Sequence, residues 1–394
     1  MSILIFNTGS SSIKFSLYTP DLALLAEGVV EKISESLAVI QFEQFSATPC
    51  VFSSQQPTQV TDHTQALWLI FDWLNAQQQL TELALIGHRV VHGGTLFQQA
   101  VLISPVVIEQ IAALSALAPL HNPANLLAIE LVAKTYPDLP QVAVFDTAFY
   151  HTLPDYAYHY PLPLALQEQQ QIRRYGFHGT SHAYCLQQAA HFLCRPADKL
   201  NLITLHLGNG ASISAIEQGR AVDTSMGMTP LAGLMMGTRC GDIDPAIFWQ
   251  LQQSGLSADE IKQLYYYESG LKGICGENDM RAIHAMIAEG NQNAQLALTM
   301  FCYQITKYIG SYFAVLGSVD ALVFTGGIGE HDAEVRTRVC QNLAFFGVVI
   351  DEAKNNYGTG ELFGIQAVGQ ALKILVLRAD EQKAIATQAL ALQL

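Results

Sequence analysis

ILIFNTGSSS, at residues 3–12, opens the chain with an apolar run that ends in a polar, glycine-containing turn. The same plan returns in LITLHLGNGAS (202–212) and in ALVFTGGIGE (321–330). Each run has the composition of a β-strand, and glycine lets the backbone N–H groups of a turn approach a ligand closely. Turns of this kind bind phosphate oxygens, although tight hairpins use the same residues. Three of them in one chain predict a nucleotide that is held from several sides.

Composition and absent motifs exclude several classes of protein. Neither GxxxxGK[ST] nor GxGxxG occurs at the three turns, which argues against a P-loop enzyme and an ordinary dinucleotide fold. The chain has 394 residues, half of them hydrophobic, so we expect a globular protein with two domains. Its formal charge of -14 disfavours nucleic acid and anionic membranes as partners.

The cysteines and the N-terminus predict a cytoplasmic location. Seven scattered cysteines without a CxxC motif indicate reduced thiols, and MSILIF lacks the basic stretch of a signal peptide. The apolar segment 309–324 contains glycine, serine and aspartate, so we expect it not to span a membrane.

Strands and helices alternate along both halves of the predicted structure. The first half is predicted to contain strands to about residue 53, a helix near 61–79, a strand at 83–91, a helix opened by the N-cap pair Asn122-Pro123, and a strand at 141–145. The second half is predicted to contain strands at 201–207 and 211–217, helices between 243 and 315, a strand at 320–325, a helix from about His331, a strand at 373–377 and a final helix. Both halves open with strand, turn and strand, which indicates a duplicated α/β domain with the turns facing each other across a cleft.

Candidate chemical groups in the first half lie at strand ends. Lys14 follows the serine-rich first turn, as a phosphate-binding lysine does, although hairpin chemistry explains the turn equally well. Arg89 lies inside a buried strand, where it needs either an internal salt bridge or a small anion such as a carboxylate or phosphate. Asp146 follows another buried strand, where both a ligand site and a helix cap are expected.

In the second half, the segment RRYGFHGTSHAY contains His178 and His182 at a spacing that a zinc pair uses. No glutamate lies between them and no third ligand is evident, so zinc is the weaker reading. The preferred reading has Thr180 or Ser181 capping the next helix, with His178 projecting from the turn before it. A histidine placed there can donate a hydrogen bond to a developing anion.

Two further segments of the second half carry charged candidates. Arg239 lies between glycines and before two aspartates, which fits either an Arg–Asp pair or a mobile guanidinium that acts in phosphoryl transfer. Cys240 has no local general base and is interpreted as incidental. Asp279 fits the first turn of a helix. Glu381 begins the final helix, where the helix dipole favours a carboxylate and where a magnesium ligand is the alternative.

Together these motifs resemble those of a known family. The matching motifs are NTGSSSIKF, HRVVHGG, FDTAFY, YGFHGTSH, HLGNGAS, DTSMGMTPL, MGTRCGDIDP and TGGIGE. In order and spacing they are similar to those of the acetate and propionate kinase family along nearly the whole chain. The resemblance implies an α/β fold of two duplicated ribonuclease H-like, actin-like ATPase domains that face each other across a nucleotide cleft. It implies an acyl-substrate domain at 1–150 plus about 383–394 and a nucleotide-binding domain at 151–382.

The resemblance also implies an activity, namely reversible ATP-dependent phosphorylation of acetate to acetyl phosphate and ADP by direct in-line transfer. Propionate kinase, with the same chemistry, is the alternative. A sugar kinase would need a carboxylate base and a polar pocket, and a non-catalytic nucleotide switch would need no acceptor-anion site. Mg²⁺, with Mn²⁺ as an alternative, is the implied metal, and the implied assembly is a homodimer without nucleic-acid or membrane partners.

Residue roles are implied in the same way. The magnesium site is assigned to Asn7 and Glu381. The acceptor carboxylate is assigned to Arg89, the reacting centre to Asp146, and the transferring phosphoryl group to His178 and Arg239. The methyl pocket is assigned to Val91, Leu120, Phe177 and Pro230. The nucleotide is assigned to Lys14, His206, Leu207, Gly208, Asn209, Gly210, Asp279, Met280, Arg281, Gly327, Ile328, Gly329, Glu330 and His331. The chain departs from the family pattern at His331, where asparagine is expected, and at Tyr150, where histidine is common.

Overall fold

The structure, a computed structural model, describes residues 1–35, 38–45, 50–52 and 60–392. The chain forms two compact units, the first comprising Met1–Phe149 with Asp380–Leu394 and the second Tyr150–Ala379. Residues 380–382 thus belong to the first unit, whereas the sequence placed them in the second domain. In the described part of the chain, no helix combines the length and the apolar character that crossing a membrane requires.

The strands are, in chain order, β1 (Ser2–Thr8), β2 (Ser12–Tyr18), β3 (Leu24–Glu31), β4 (Val39–Gln44), β5 (Cys50–Phe52), β6 (Leu83–Val90), β7 (Val101–Leu102), β8 (Gln141–Phe145), β9 (Leu202–Leu207), β10 (Ala211–Glu217), β11 (Arg220–Thr224), β12 (Ala321–Thr325), β13 (Leu362–Gly364) and β14 (Lys373–Leu377). The α-helices are, in chain order, α1 (His63–Ala76), α2 (Pro105–Ala113), α3 (Asn122–Thr135), α4 (Asp155–Tyr158), α5 (Leu164–Gln170), α6 (Gly179–Leu193), α7 (Ala246–Gln253), α8 (Ala258–Tyr267), α9 (Gly270–Cys275), α10 (Met280–Ala288), α11 (Gln292–Leu316), α12 (Gly326–His331), α13 (Ala333–Gln341), α14 (Glu352–Tyr357) and α15 (Glu381–Ala391).

The sheet of the first unit has the strand order β5-β4-β3-β2-β1-β6-β8-β7. β1 pairs antiparallel with β2 and parallel with β6, and β6 pairs parallel with β8. Side chains of a strand alternate between the two faces of the sheet, and both faces of β1 are buried. Leu4 and Phe6 belong to the core formed with α1 and α3, whereas Ile3 and Ile5 pack with α15. The uninterrupted apolar run before the first turn follows from this double burial.

The sheet of the second unit has the order β11-β10-β9-β12-β14-β13. β9 pairs antiparallel with β10 and parallel with β12, and β12 pairs parallel with β14. The order β11-β10-β9-β12-β14 therefore repeats the order β3-β2-β1-β6-β8 of the first unit, and each sheet adds an antiparallel strand at the outer edge of its last parallel strand. This agreement confirms the predicted α/β class with a duplicated sheet.

Several predicted elements are confirmed, and one boundary is wrong. The strands predicted at 141–145, 211–217 and 373–377 have those bounds in the structure. The helix predicted from about His331 instead begins at Gly326, directly after β12, and α13 follows it. Gly326 makes this early start possible, because its φ is +77° and a Cβ there would lie only 2.7 Å from the carbonyl oxygen of Leu207.

Candidate active site

In the first unit, polar side chains meet at the ends of three adjacent strands. Arg89 on β6 donates from Nε to Asp146 Oδ2 at 3.0 Å and from Nη2 to the same oxygen at 2.5 Å. Its Nη1 donates to Asn7 Oδ1 on β1 at 3.0 Å. The side chain of Asp146 is only 2% exposed and that of Arg89 is 18% exposed. Asp146 therefore holds Arg89 in place, and the Arg89 side chain keeps a limited exposure to solvent.

The charge of Arg89 is stabilised by its surroundings. Burial lowers the pKa of the guanidinium, but the negative charges of Asp146 and Glu381 outweigh burial, so that the pKa is raised overall. Glu381 is the first residue of α15, which packs against β1 and β6. Asp380 precedes it and caps the helix by accepting the N–H of Lys383 at 2.9 Å. The structure thus brings Asn7, Arg89, Asp146 and Glu381 together in one charged cluster.

Two asparagines of α3 fix the strand ends beside this cluster. Asn125 accepts the N–H of Val91 at 3.1 Å and donates to the carbonyl oxygen of Thr8 at 2.6 Å. Asn122 accepts the N–H of His92 and donates to the His92 carbonyl oxygen. The predicted capping role of Asn122 is wrong, because it is the first residue of the helix itself and its side chain binds the chain after β6. Sequence reasoning did not find Asn125, since its partners are distant in sequence.

The predicted methyl-pocket residues are divided between the units. Val91 is buried and Leu120 is 37% exposed, both in the first unit. Phe177 is buried in the second unit, and its carbonyl oxygen accepts the hydroxyl of Tyr150 at 2.9 Å. Pro230 also lies in the second unit. Their common role in binding a methyl group stays a prediction.

Lys14 lies in the first unit and is exposed on β2, where it pairs with Asn7 in the sheet register. The residues that line the cavity of the second unit, described below, do not include it. Its contact with a nucleotide also stays a prediction.

In the second unit, His178 stands immediately before α6. Its φ of +58° is left-handed, and the helix begins at the next residue, Gly179. Thr180 and Ser181 therefore lie inside the first turn, and the predicted capping role of either residue is wrong. The left-handed conformation turns the chain abruptly, so that the helix starts earlier than a side-chain cap would allow.

The imidazole of His178 is held by two contacts. Its Nδ1 lies 2.9 Å from Ser212 Oγ on β10, and its ring lies 4.3 Å from the ring of His206 at an angle of 30°. His206 Nδ1 in turn lies 2.9 Å from Ser181 Oγ. His182 is completely buried against Thr204 and Ser212, so its side chain serves the interior of the unit.

Arg239 makes no Arg–Asp pair. Its Nη1 donates to the carbonyl oxygen of Pro230 at 3.1 Å, and no carboxylate of the described residues lies within ion-pair distance. Asp242, the nearer of the two following aspartates, instead accepts the N–H of Gly233 and the hydroxyl of Tyr308. Burial lowers the pKa of Arg239, which nevertheless stays far above neutrality in an arginine. The structure thus contradicts the Arg–Asp pair, and the role of Arg239 in phosphoryl transfer stays a prediction.

His178 and Arg239 meet at the turn between β9 and β10. A Cβ added to Gly210 would lie 3.5 Å from His178 Cε1, 3.6 Å from His178 Nε2 and 3.6 Å from Arg239 Nη1. The imidazole edge, the guanidinium and a glycine backbone therefore surround one small space. Such a set of hydrogen-bond donors suits an oxyanion or a phosphoryl group.

A cavity of about 1150 Å³ opens in the second unit beside this turn. Its lining includes eight of the residues assigned to the nucleotide, namely Gly208, Asn209, Asp279, Met280, Arg281, Gly327, Ile328 and His331. The assigned residues outside the lining are His206, Leu207, Gly210, Gly329 and Glu330. The volume is ample for a nucleotide, since pockets for small ligands commonly measure about 300–1,000 Å³.

The cavity also has lining residues that sequence reasoning missed: Asn278, His284, Ile287, Ala288, Asp332, Ala333 and Glu334. Helical spacing could have found some of them, because Met280, His284, Ile287 and Ala288 share one face of α10. His284 Nε2 lies 2.7 Å from Asp332 Oδ2 across the cavity wall. That pairing joins α10 to the start of α13 and was not evident from the sequence.

Asp279 is the N-cap of α10, which begins at Met280, so it lies directly before the first turn in which the sequence placed it. Its Oδ1 accepts the N–H of Arg281 at 2.9 Å and the Nε of the same residue at 3.0 Å. Hydrogen bonds from the Arg281 side chain and backbone lower the pKa of Asp279 to about 2. Cys240 is a poor nucleophile, because burial raises the pKa of its thiol to about 11. This agrees with its interpretation as incidental.

Glycine permits close packing of the turns around the cavity. A Cβ on Gly237 would lie 1.8 Å from Asn209 Oδ1, and the Gly237 N–H donates to the Asn209 carbonyl oxygen at 3.0 Å. Asn209 Oδ1 also accepts from Asn278 Nδ2 at 3.0 Å. Gly327 has no neighbouring atom that a Cβ would meet, so its small size leaves the cavity open.

Comparison with known proteins identifies the family of the chain. Residues 2–387 match the model of the acetokinase family. The chain is 48% identical to an acetate kinase of Sulfurovum sp. (strain NBC37-1), with 98% of each chain covered. It is also similar to the crystal structure of Porphyromonas gingivalis acetate kinase, with 40% identity, complete coverage of both chains and a TM-score of 0.92. A propionate kinase from Francisella tularensis subsp. tularensis SCHU S4 has 41% identity, 98% coverage of each chain and a TM-score of 0.91. The chain belongs to the acetokinase family.

Proposed function

We propose that the chain catalyses the reversible transfer of the ATP γ-phosphoryl group to acetate, which gives acetyl phosphate and ADP. The observation that carries the proposal is the side chain of Arg89, which is 18% exposed and whose guanidinium Asp146 and Asn7 fix in place. A fixed guanidinium matches the planar oxygens of a carboxylate. The similarity to acetate kinases supports the same acceptor.

The acceptor explains why the site lacks an activated nucleophile. A carboxylic acid is already ionised at neutral pH, so no general base is needed to prepare it for attack. Asp146 accepts hydrogen bonds from Arg89 and orients it, so we assign Asp146 no role in proton abstraction. Catalysis then consists of aligning two anions and stabilising the charge on the transferring group.

The second unit supplies the groups for the phosphoryl donor. We assign ATP and ADP to the cavity lined by Gly208, Asp279 and Gly327, among others. His178 and Arg239 lie around Gly210, where they can donate hydrogen bonds to phosphoryl oxygens. In this role His178 and Arg239 act as hydrogen-bond donors, and neither removes a proton from a substrate.

Asn7 and Glu381 fit a magnesium ion by their chemistry. Amide and carboxylate oxygens are the ligands that Mg²⁺ prefers, and the charge of Glu381 already bears on Arg89 in the same cluster. Among the described residues no group of three or more His, Cys, Asp and Glu side chains could hold a metal. Mg²⁺ accepts such a sparse site, since it takes other ligands from water and substrate phosphates. When bound it neutralises phosphate charge, and Mn²⁺ is an alternative ion.

The proposal includes a cytoplasmic homodimer. The thiols of Cys185, Cys194, Cys240, Cys275, Cys302 and Cys340 are free, and ATP is an intracellular substrate. Two-fold dimers are the commonest assembly of soluble enzymes. Light scattering would test the homodimer, and cell fractionation would test the cytoplasmic location.

A coupled assay for ADP with formate, acetate, propionate and butyrate as acceptors tests the proposed function. Acetate should have the highest kcat/KM, and chelation of divalent cations should abolish the reaction. Propionate kinase is the second candidate, favoured by the similarity to the Francisella tularensis enzyme. A higher kcat/KM for propionate would select it, and the absence of ADP release with every acid would contradict both candidates.

A further inference from the structure

A buried row of hydrogen-bonding groups leads from the centre of the second sheet to His178. Thr204 Oγ1 on β9 lies 2.6 Å from His182 Nδ1, and His182 Nε2 lies 2.8 Å from Ser212 Oγ. Ser212 Oγ lies 2.9 Å from His178 Nδ1. Thr204, His182 and Ser212 are each 0% exposed. Water therefore does not compete for these hydrogen bonds, and each group depends on its neighbours in the row.

The hydroxyl of Thr204 decides the direction of the hydrogen bonds. Within the described residues, His182 is the one hydrogen-bond partner of this hydroxyl. If Thr204 accepted a hydrogen from His182, its own hydrogen would be buried without an acceptor, and such an unmade bond is costly. Thr204 therefore donates to His182 Nδ1.

The remaining directions follow from the first one. Burial and the neighbouring His206 lower the pKa of His182 well below its usual value, so its ring is neutral and has one N–H. With Nδ1 accepting, that hydrogen is on Nε2 and is donated to Ser212 Oγ. The hydroxyl of Ser212 then donates its own hydrogen to His178 Nδ1, which leaves the hydrogen of a neutral His178 on Nε2.

We propose that Thr204, His182 and Ser212 are positioning residues that hold His178 in the tautomer with its hydrogen on Nε2. This inference rests on the proposed function, because Nε2 is the atom that lies with Arg239 Nη1 beside Gly210. The row gives His178 a hydrogen to donate to the transferring phosphoryl group. The opposite tautomer would present a lone pair to an anion.

The same row opposes protonation of His178. An imidazolium has a hydrogen on Nδ1, which would have to be donated to Ser212. Ser212 would then donate to His182, every bond of the row would reverse, and the hydrogen of Thr204 would lose its acceptor. The row thus favours a neutral imidazole beside the permanent charge of Arg239, where a second cation would be repelled.

Nuclear magnetic resonance on the full-length protein labelled with ¹⁵N-histidine reads the tautomer directly. Long-range ¹⁵N–¹H correlations distinguish a ring nitrogen that has a hydrogen from one that does not, and loss of the signal in His178→Ala identifies the residue. We expect His178 with the hydrogen on Nε2 in the wild type. Thr204→Val should give a mixture of tautomers, and Thr204→Ser should restore the single form. A wild-type hydrogen on Nδ1 would overturn the inference.

Kinetics provide a second test with a matched control. By analogy with the hydrogen-bond partners that orient metal-binding histidines, Ser212→Ala should lower kcat about 10- to 100-fold, with the KM for ATP unchanged. In a His178→Ala background the same change should have no further effect. Ser214→Ala is the control, because Ser214 is equally buried on the same strand but bonds to Tyr150 and Thr224. It should keep the wild-type kcat.

Two kinetic outcomes would overturn the inference: additive losses in the double variant, or an equal loss of kcat in Ser214→Ala. A failure of the proposed function would look different. A wild type that does not phosphorylate any short carboxylic acid would contradict that function, while the tautomer of His178 would still be measured. A wild type that phosphorylates acetate with the hydrogen on Nδ1 would contradict the positioning role alone.

Discussion

The turn between β1 and β2 and the turn between β9 and β10 occupy equivalent places in two sheets of the same strand order, but their surroundings differ. In the first turn the Gly9 N–H donates to the Ser12 carbonyl oxygen, and Arg89 and Asp146 form a charged pair beside the strand end. In the second turn the Gly208 N–H donates to the Gly210 carbonyl oxygen, and the side chains nearest to Gly210 are those of His178 and Arg239.

The difference arises in the strands next to each hairpin. β6, beside the first hairpin, contributes Arg89, and β8 ends just before Asp146. The counterpart of β6 is β12, beside the second hairpin, which is apolar and runs directly into α12 through Gly326. Under the proposed assignments, a duplicated backbone serves an acid in one unit and a nucleotide in the other, because chemistry depends on which side chains end each strand.

The largest expected effect concerns the second turn. His178→Ala and Arg239→Ala should each lower kcat by roughly 10²–10⁵-fold, as the loss of an oxyanion donor or an arginine finger does. The KM values for acetate and ATP should change little, because both side chains act on the transferring group. Arg239→Lys is the control that keeps the charge but loses the planar fork. If steady-state kinetics showed a retained kcat and a raised KM, these residues would act in ground-state binding of the substrates instead.

The next effect concerns the charged cluster of the first turn. Arg89→Ala should raise the acetate KM and lower kcat, while ATP binding stays near normal. The substitution also breaks the largely buried ion pair between Arg89 and Asp146, and breaking such a pair costs about 3–5 kcal/mol in the free energy of unfolding. Adding Asp146→Asn should recover stability but not acetate binding. Denaturant unfolding and acetate kinetics on the same variants check both parts, and an unchanged acetate KM would remove Arg89 from the site.

Alanine at one glycine of each turn compares the two turns directly. In Gly210→Ala the new methyl group would meet His178 and Arg239 at about ordinary contact distance, so the protein should fold. It would occupy the space of the phosphoryl group, and a displacement of about 1 Å costs about 10²-fold in rate. In Gly9→Ala the Cβ would lie 3.1 Å from Ser12 Oγ and should affect the hairpin more than kcat. Equal losses of kcat in both variants would remove the proposed difference between the turns.

The smallest effect concerns the acyl chain. Val91 is β-branched and its backbone is fixed by Asn125, so it cannot easily swing aside. One methylene in an apolar pocket is worth about 1–3 kcal/mol, so propionate should be a poorer but usable substrate. Val91→Ala should raise kcat/KM for propionate relative to acetate, mostly through KM. Val90→Ala is the control, because Val90 packs in the core with Phe97. If the ratio of kcat/KM for propionate to kcat/KM for acetate changes equally in both variants, or changes in neither, the role of Val91 is contradicted.

The strands were predictable from the sequence because burial on both faces leaves an uninterrupted apolar run, as at 141–145. The polar turns were predictable because glycine and serine follow such runs. The roles of these turns were implied by the resemblance. The cavity of the second unit is lined by eight of the residues that the resemblance assigns to the nucleotide.

The errors have a common physical cause. The start of α6 depends on the left-handed backbone of His178, which is uncommon for any residue other than glycine and was not predicted from the local sequence. The side chain of Asn122 forms hydrogen bonds with His92, 30 residues away, in place of a cap on its own helix. The sequence alone also left open whether Asp146 caps a helix, and its contact with Arg89 spans 57 residues. Local patterns predict elements well, but such long-range polar contacts depend on the completed fold.

The last helix has a consequence for synthesis of the chain. Ile385, Ala386 and Ala389 of α15 cover the face of the first sheet that Ile3 and Ile5 help to form. β1 leaves the ribosome early, whereas α15 emerges only after residues 150–379 have been translated. The second unit is continuous and should fold first, since domains fold as units during translation. Throughout that interval the nascent first unit exposes an apolar sheet face, which makes it the natural target of a ribosome-associated chaperone.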